Sequence, residues 1–334
     1  MSRTASRSRS PHAKEATRTG RVVPNGLVGD WRLGSDDFMA AFSLPGAAEK
    51  HDALARLHPL PRDERIRFFE EEHVYKVDGL DVPCSVTALA HCCSPSFDQE
   101  LAVRLMRRGR QWPQKRLLYL RPDGSEMSDA EIMDRWQRNG REQAARGTLM
   151  HWHIERFYNG DDVDAPRSPE FEQFLDFNER WFKARGLRAW RTEVSLFHCG
   201  LGVAGQADML ALDKEGKVVI LDWKRARDLA LRSSFKEKLL PPLAHLDRCN
   251  YNEYCLQLNL YRYFLETEYD LEVSEMHLAV FHPGQEAFAT YEVPRMPSEI
   301  EAIVALARTR GAEAPLPGPL APFVVRPDMV RFRH

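Results

Sequence analysis

Apolar residues alternate with polar ones in some stretches of this chain and recur every three to four residues in others, and the changes of period mark out its elements. The alternation in "IRFFEEEHVYKVDGLDVP", with its Asp78-Gly79 pair, predicts a β-hairpin. Ser85 then caps a short helix, "VTALAHCC", and a second helix follows "SPSFDQ". Ser128 and Glu131 form a capping box for "DAEIMDRWQR", which Asn139-Gly140 is expected to interrupt before helical spacing resumes in "REQAARGTLMHWHIERFY". Ser168 and Pro169 open another helix, with Phe171, Phe174, Leu175, Phe177 and Trp181 at helical intervals and Gly186 as its stop. The period then changes to two: "WRTEVSLF", "VAGQADMLAL" and "KVVILDWK" are strands, the last two joined across "DKEG". A helix, "NEYCLQLNLYRYFLETEY", two strands near "EMHLAVF" and "AFATYEV", and a closing helix, "PSEIEAIVALARTR", complete the order. The class is α/β. Residues 1–60 are expected to be a basic tail of low order, apart from a short helix near "AAEKHDALARLH"; 61–127 form an N-terminal α+β annex, 128–311 the core, and 312–334 a proline-rich tail.

The strand pair carries the chemistry. Asp208 is followed by thirteen residues and then Asp222-Trp223-Lys224, so a hairpin brings both carboxylates to one edge of the sheet and puts Lys224 on the face of Asp222. Hard oxygen ligands so placed suit Mg²⁺ or Mn²⁺, and the cation relieves their mutual repulsion. Lys224 is placed to orient or deprotonate a water, or to neutralise charge at a scissile phosphate. A surface hairpin with both charges in solvent gives the same alternation. The apolar "VVIL" before Asp222 and Trp223 after it favour a central, buried strand instead.

Two further segments add candidates. In "GTLMHWHIE", Gly147, His151 and Glu155 line one helix face while Met150 and Ile154 point toward a core, so His151 can supply an imidazole ligand; His153 stands beside it as an ordinary structural histidine. Glu193, in the strand before the hairpin, either completes the acidic cluster or faces solvent.

In order, G-x-x-x-H, an upstream strand Glu, G-x-x-D, D-x-K and a helical Q-x-x-x-Y (Gln257, Tyr261) resemble the PD-(D/E)XK nuclease superfamily in its RecB-like exonuclease branch. The match runs from about residue 141 to 264, with "QAD" where the family name has "PD". "EEHVYKVDG…SVTALA…FDQELA" and "PLAHLDRCNYNEYCLQLNLYRYFLE" extend it to most of 66–300, toward uncharacterised members from protists and large DNA viruses. The resemblance implies a restriction-endonuclease-like core, a central mixed β-sheet flanked by helices. It also implies that His151, Asp208, Asp222 and the Trp223 carbonyl hold the metal, that Lys224 is the catalytic lysine and Glu193 a supporting acid, and that Gln257 and Tyr261 contact the substrate strand or brace the site. The implied activity is metal-dependent cleavage of DNA, more than RNA, leaving a 5′-phosphate. An exonuclease acting on single-stranded or end-containing DNA in repair, recombination or genome maintenance leads, ahead of a structure-specific endonuclease or a non-catalytic nucleic-acid-binding protein with the same fold.

Composition changes this picture in three places. A formal net charge of −2 gives no global attraction to a polyanion, so binding needs a local patch. The acid-free run 104–121, with Arg107, Arg108, Arg110, Lys115 and Arg116, and the loop carrying Arg225, Arg227, Arg232, Lys236 and Lys238 are candidates, with Trp112 and Phe235 to stack bases. The six cysteines lack the spacing of a zinc site, a disulfide scaffold or an iron–sulfur cluster, which points to a reduced intracellular protein without a cluster. No apolar run approaches the roughly 18 residues of a membrane span, and "MSRTASRSRSPHAKEATRTGR" reads as a disordered basic tail ahead of a transit peptide, leaving nucleus or mitochondrion open.

Overall fold

The computed structural model describes residues 34–41, 52–69, 72–161, 163, 167–233 and 236–312. Most of the expected N-terminal tail, Phe235 and the proline-rich tail from 313 onward lie outside the described residues. Short helices α1 (Ser35–Ala41) and α2 (Ala53–Leu57) precede a small antiparallel sheet of β1 (Ile66–Phe69), β2 (Val74–Val77) and β3 (Leu80–Asp81). Asp78 and Gly79, with φ of 49° and 80°, make the two-residue turn between β2 and β3, a left-handed pair that Asp-Gly tolerates. Strand β4 (Cys84–Ser85) leads into α3 (Val86–Ala90), capped by the Ser85 hydroxyl. The annex continues through α4 (Gln99–Arg108) and α5 (Trp112–Lys115).

Helix α6 (Asp129–Tyr158) runs unbroken for 30 residues from the Ser128–Glu131 capping box, so the interruption expected at Asn139-Gly140 does not occur. Both residues are exposed, and Ile132, Ala145 and Leu149 bury a stripe that continues past them. A turn dipeptide costs a helix about 1 kcal/mol, too little to break one packed along its length. Helix α7 (Pro169–Phe177) passes into a π turn over Asn178–Phe182 and a 3-10 turn over Lys183–Arg185, and Gly186 ends the run at φ 72°.

The central sheet is mixed and flanked by helices. Its strands are β4, β5 (Arg188–His198), β6 (Val203–Leu212), β7 (Val218–Arg225), β8 (Val273–Phe281) and β9 (Ala289–Glu292), with α8 (Asn250–Glu268) linking β7 to β8 and α9 (Pro297–Ala312) closing the chain. The order is β4-β6-β7-β8-β9, with β5 along the other side of β6; β4 with β6 and β7 with β8 are parallel pairs and the rest antiparallel. Both faces of β7 are covered, which is why "VVIL" shows no alternation. Val218 and Ile220 pack with α8 and α9 residues such as Leu256, Phe264 and Ile303, whereas Val219, Leu221 and Trp223 pack with Met150, Phe174 and Phe177 of α6 and α7.

Candidate metal centre

The site forms where two paired strands part. The β6–β7 ladder runs from Leu212↔Val218 to Met209↔Leu221 and ends there, one residue before Asp208 and Asp222 would face each other. Beyond it Asp222, Trp223 and Lys224 stay paired only to β8. The Trp223 N–H that the ladder would have satisfied donates instead to Asp208 Oδ2 at 2.7 Å. A wedge thus opens with one carboxylate on each wall.

On the other side of β6, Thr192↔Met209 and Val194↔Ala207 bracket Glu193 directly across from Asp208. Glu193 has φ 45°, a left-handed conformation costing a side-chain-bearing residue on the order of 1 kcal/mol or more, and the Gln206 side chain secures its carbonyl at 2.9 Å. From α6, His151 reaches into the wedge. Its Nδ1 lies 3.6 Å from Asp208 Oδ2 and 3.7 Å from Glu193 Oε1, and its Nε2 donates to the Trp223 carbonyl at 2.9 Å. His151, Glu193 and Asp208 each offer a ligand atom, all within 4.8 Å of one another. These three could hold a cation together, and Asp222 lies beside them.

Asp222 is 3% exposed, and Lys224 Nζ sits 2.6 Å from its Oδ2. Beyond that ammonium, no donor is seen at Oδ2 among the described residues. Burial pushes Asp222 up to about 6, with the Lys224 ammonium opposing the rise and Asp208 adding to it. Burial also raises Asp208, His151 opposing and Glu193 reinforcing. Burial would lower His151, but Asp208 and Glu193 outweigh it and bring the imidazole up to about 9. The ring is 28% exposed, so the two carboxylates within 4 Å, rather than its burial, set that direction. Lys224 too is raised, the cost of burial being exceeded by Asp222 and Asp208. The cluster holds more negative charge than its own cations balance and retains protons in compensation. An excess of buried carboxylate and a ligand set of one imidazole with two acids fit a divalent cation.

Tyr261 is 1% exposed and donates to the Gln206 carbonyl at 2.7 Å, with the Gln257 amide 3.4 Å from its hydroxyl. That bond ties α8 to β6. Gly205 explains the glycine of G-x-x-D: an added Cβ would lie 2.7 Å from Val86 and 3.0 Å from the Tyr261 ring. His153 stays apart from the cluster, its ring 5.6 Å from Phe171.

Sequence reasoning missed two tyrosines. Tyr75 on β2 is buried, and its hydroxyl is raised by that burial and by Glu193 and Asp208, so the annex sheet contributes to the site's surroundings. The ring of Tyr254 on α8 lies over Lys224 Nζ, 4.4 Å from its centroid. Neither carried a signal, because both contacts join segments far apart in sequence.

The candidate phosphate-binding residues divide. Arg107 is held by Asp129 at 2.6 Å and Glu126 at 3.2 Å and lies 4.8 Å over the Trp112 ring, which itself stacks on Tyr119; Arg116 shares Glu126. The run lacks acids in sequence, but the fold brings them from the next segment. Arg108, Arg110 and Lys115 are exposed and make no ion pair among the described residues. Arg225 pairs with Glu170 at 2.5 Å, both side chains 7% exposed, and also binds the Gln143 side chain, so it ties β7 to α6 and α7. Lys238 pairs with Asp247.

No family model and no curated protein matches the chain. Among solved structures it is similar to SSO0001, at 16% identity and a TM-score of 0.29 over 67% of this chain and 74% of that one. It is also similar to the alkaline exonuclease LHK-Exo from Laribacter hongkongensis, at 14% identity and a TM-score of 0.27 over 50% of this chain and 79% of that one. Likenesses this slight carry neither fold nor activity across. Among the described residues no helix is long and apolar enough to cross a membrane.

Proposed function

We propose that this chain is a divalent-metal-dependent nuclease of the PD-(D/E)XK type that hydrolyses phosphodiester bonds in DNA, with an exonuclease acting on single-stranded or end-containing DNA as the leading form. The observation that carries the reading is the wedge between β6 and β7, where His151, Glu193 and Asp208 converge beside Asp222 and Lys224. His151, Glu193 and Asp208 would hold the cation, with the Trp223 carbonyl and Asp222 at hand. A cation bound there lowers the pKa of a water and neutralises charge on the phosphate.

The chain's own groups supply the rest. Nδ1 of His151, the nitrogen that faces Asp208 and Glu193, has to be free of its proton for the imidazole to act as a ligand, and the Nε2–H bond to the Trp223 carbonyl would hold the ring in that orientation. Lys224, raised above the ordinary lysine value, enters as a cation beside Asp222, suited to countering charge that builds on the scissile phosphate. Arg108, Arg110 and Lys115 offer exposed charge for the phosphate backbone.

The test is incubation with end-labelled single- and double-stranded DNA, linear and circular, and with RNA, in Mg²⁺, Mn²⁺ or EDTA. Cleavage of linear DNA with a metal, none in EDTA and none on circles supports the exonuclease. Cleavage of circles supports an endonuclease on the same centre. DNA binding without cleavage in any metal leaves a binding protein and contradicts the proposal.

A further inference from the structure

The Lys224 ammonium has two close neighbours. One is Asp222, with Oδ2 at 2.6 Å; the other is the aromatic face of Tyr254, 4.4 Å from Nζ to the ring centroid. A lysine carries about 2 kcal/mol of side-chain rotamer entropy, so an ammonium that must meet one phosphate oxygen has to be confined. The contact with Asp222 holds the ammonium from one side. A ring face attracts a cation without consuming one of its three N–H donors and without adding a negative charge that would repel phosphate.

The placement of Tyr254 follows from α8. Tyr254, Gln257 and Tyr261 recur at i, i+3 and i+7 and share one helix face. At the inner end of that face Tyr261 anchors β6 through the Gln206 carbonyl, and Gly205 leaves room for the ring. The helix is thereby registered against the sheet, and two turns earlier the same face sets Tyr254 over β7. The Tyr254 ring is half-buried, with its face rather than a hydrogen bond turned to the ammonium.

We infer that Tyr254 is a positioning residue for Lys224: its ring confines the ammonium between Asp222 and α8 and leaves the N–H donors directed at the phosphate. The inference rests on the nuclease reading above. Its effect falls on the chemical step, because the lysine is needed when charge builds on the phosphate rather than when the strand binds.

The experiment measures kcat and KM for metal-dependent DNA cleavage by full-length wild type, Tyr254→Phe and Tyr254→Leu, with melting temperatures alongside. The expected results are a loss of roughly tenfold in kcat for Tyr254→Leu with KM little changed, and recovery of most of that loss in Tyr254→Phe. Because Tyr254→Leu can fail to fold, a second series places phenylalanine and its mono-, di- and pentafluoro analogues at position 254. These keep the shape and weaken the ring's negative face, and kcat should fall stepwise with fluorine content. A flat series overturns the inference, as does a rise in KM at unchanged kcat, which would make Tyr254 a substrate contact. If wild type cleaves and the series is flat, only this inference fails; if wild type does not cleave with any metal, the nuclease reading fails and the inference with it.

Discussion

Two glycines of the site motifs stand at opposite extremes of packing. An alanine methyl at Gly205 would lie 2.7 Å from Val86 Cβ and 3.0 Å from the Tyr261 ring, so either α3 or α8 must move. Gly205→Ala should lower stability by about 1–3 kcal/mol, read as an earlier urea midpoint. At Gly147 an added methyl meets nothing within 4 Å, so Gly147→Ala should leave the midpoint unchanged or raise it by up to about 1 kcal/mol. Equal midpoints for the two variants would mean that Gly205 does not admit a close approach. Much of the centre at this scale was legible. The spacing of Asp222 and Lys224 fixes their shared face, and four residues of helix set His151 over Gly147. The left-handed backbone at Glu193 and the approach of Tyr75 and Tyr254 were not, because each depends on partners brought from distant segments.

At the scale of elements, the β6–β7 hairpin has to hold its register if the wedge beyond Met209↔Leu221 is to open in the right place. Asp213 locks the turn. Its side chain accepts from the backbone N–H of Glu215 at 3.0 Å and of Lys217 at 2.8 Å, and from the Ser274 hydroxyl of β8 at 2.7 Å. Partial burial would raise its pKa, but these donors outweigh it and hold the carboxyl below its ordinary value. A carboxyl depressed in the folded state stabilises above its unfolded pKa of about 4, and the contribution is lost as pH falls through the folded value. Asp213→Ala should therefore lower stability at pH 7 by about 1 kcal/mol and flatten the fall in stability below pH 4. An acid limb as steep as that of wild type would show that the carboxylate does not lock the turn. The hairpin itself was readable from period and turn chemistry. The continuity of α6 through Asn139-Gly140 was not, since local turn preference competes there with a buried stripe that the helix shares with the rest of the fold.

At the scale of the whole molecule, a chain with a formal net charge of −2 must concentrate its cations to hold a polyanion. The sequence offers a long acid-free run, but the fold already occupies Arg107 and Arg116 with Glu126 and Asp129. The exposed remainder, Arg108, Arg110 and Lys115, is where phosphate binding is expected. Replacing these three by glutamine should weaken DNA binding with little regard to sequence and shallow its log–log salt dependence by roughly 0.7 to 0.9 for each phosphate no longer neutralised. Arg107→Gln should instead loosen the annex with little change of slope. A slope unaffected by the triple replacement would leave α4 and α5 as an ordinary solvated surface. That division could not be read from charge runs, because the partners that neutralise a basic helix come from outside it.

The measurement that bears most directly on the metal centre pairs Mn²⁺ binding with DNA cleavage on the same preparations of wild type and Lys224→Ala. Lys224 lies outside the chelating group of His151, Glu193 and Asp208, and without its ammonium the buried Asp222 is left next to that group with one cation fewer. Both proteins should bind the metal, and Lys224→Ala should cleave more slowly than wild type by at least about a hundredfold, of the order seen when a group that stabilises transition-state charge is removed. Cleavage by Lys224→Ala at the wild-type rate, or wild type that binds Mn²⁺ yet leaves every DNA substrate intact, would contradict a nuclease centre in this wedge.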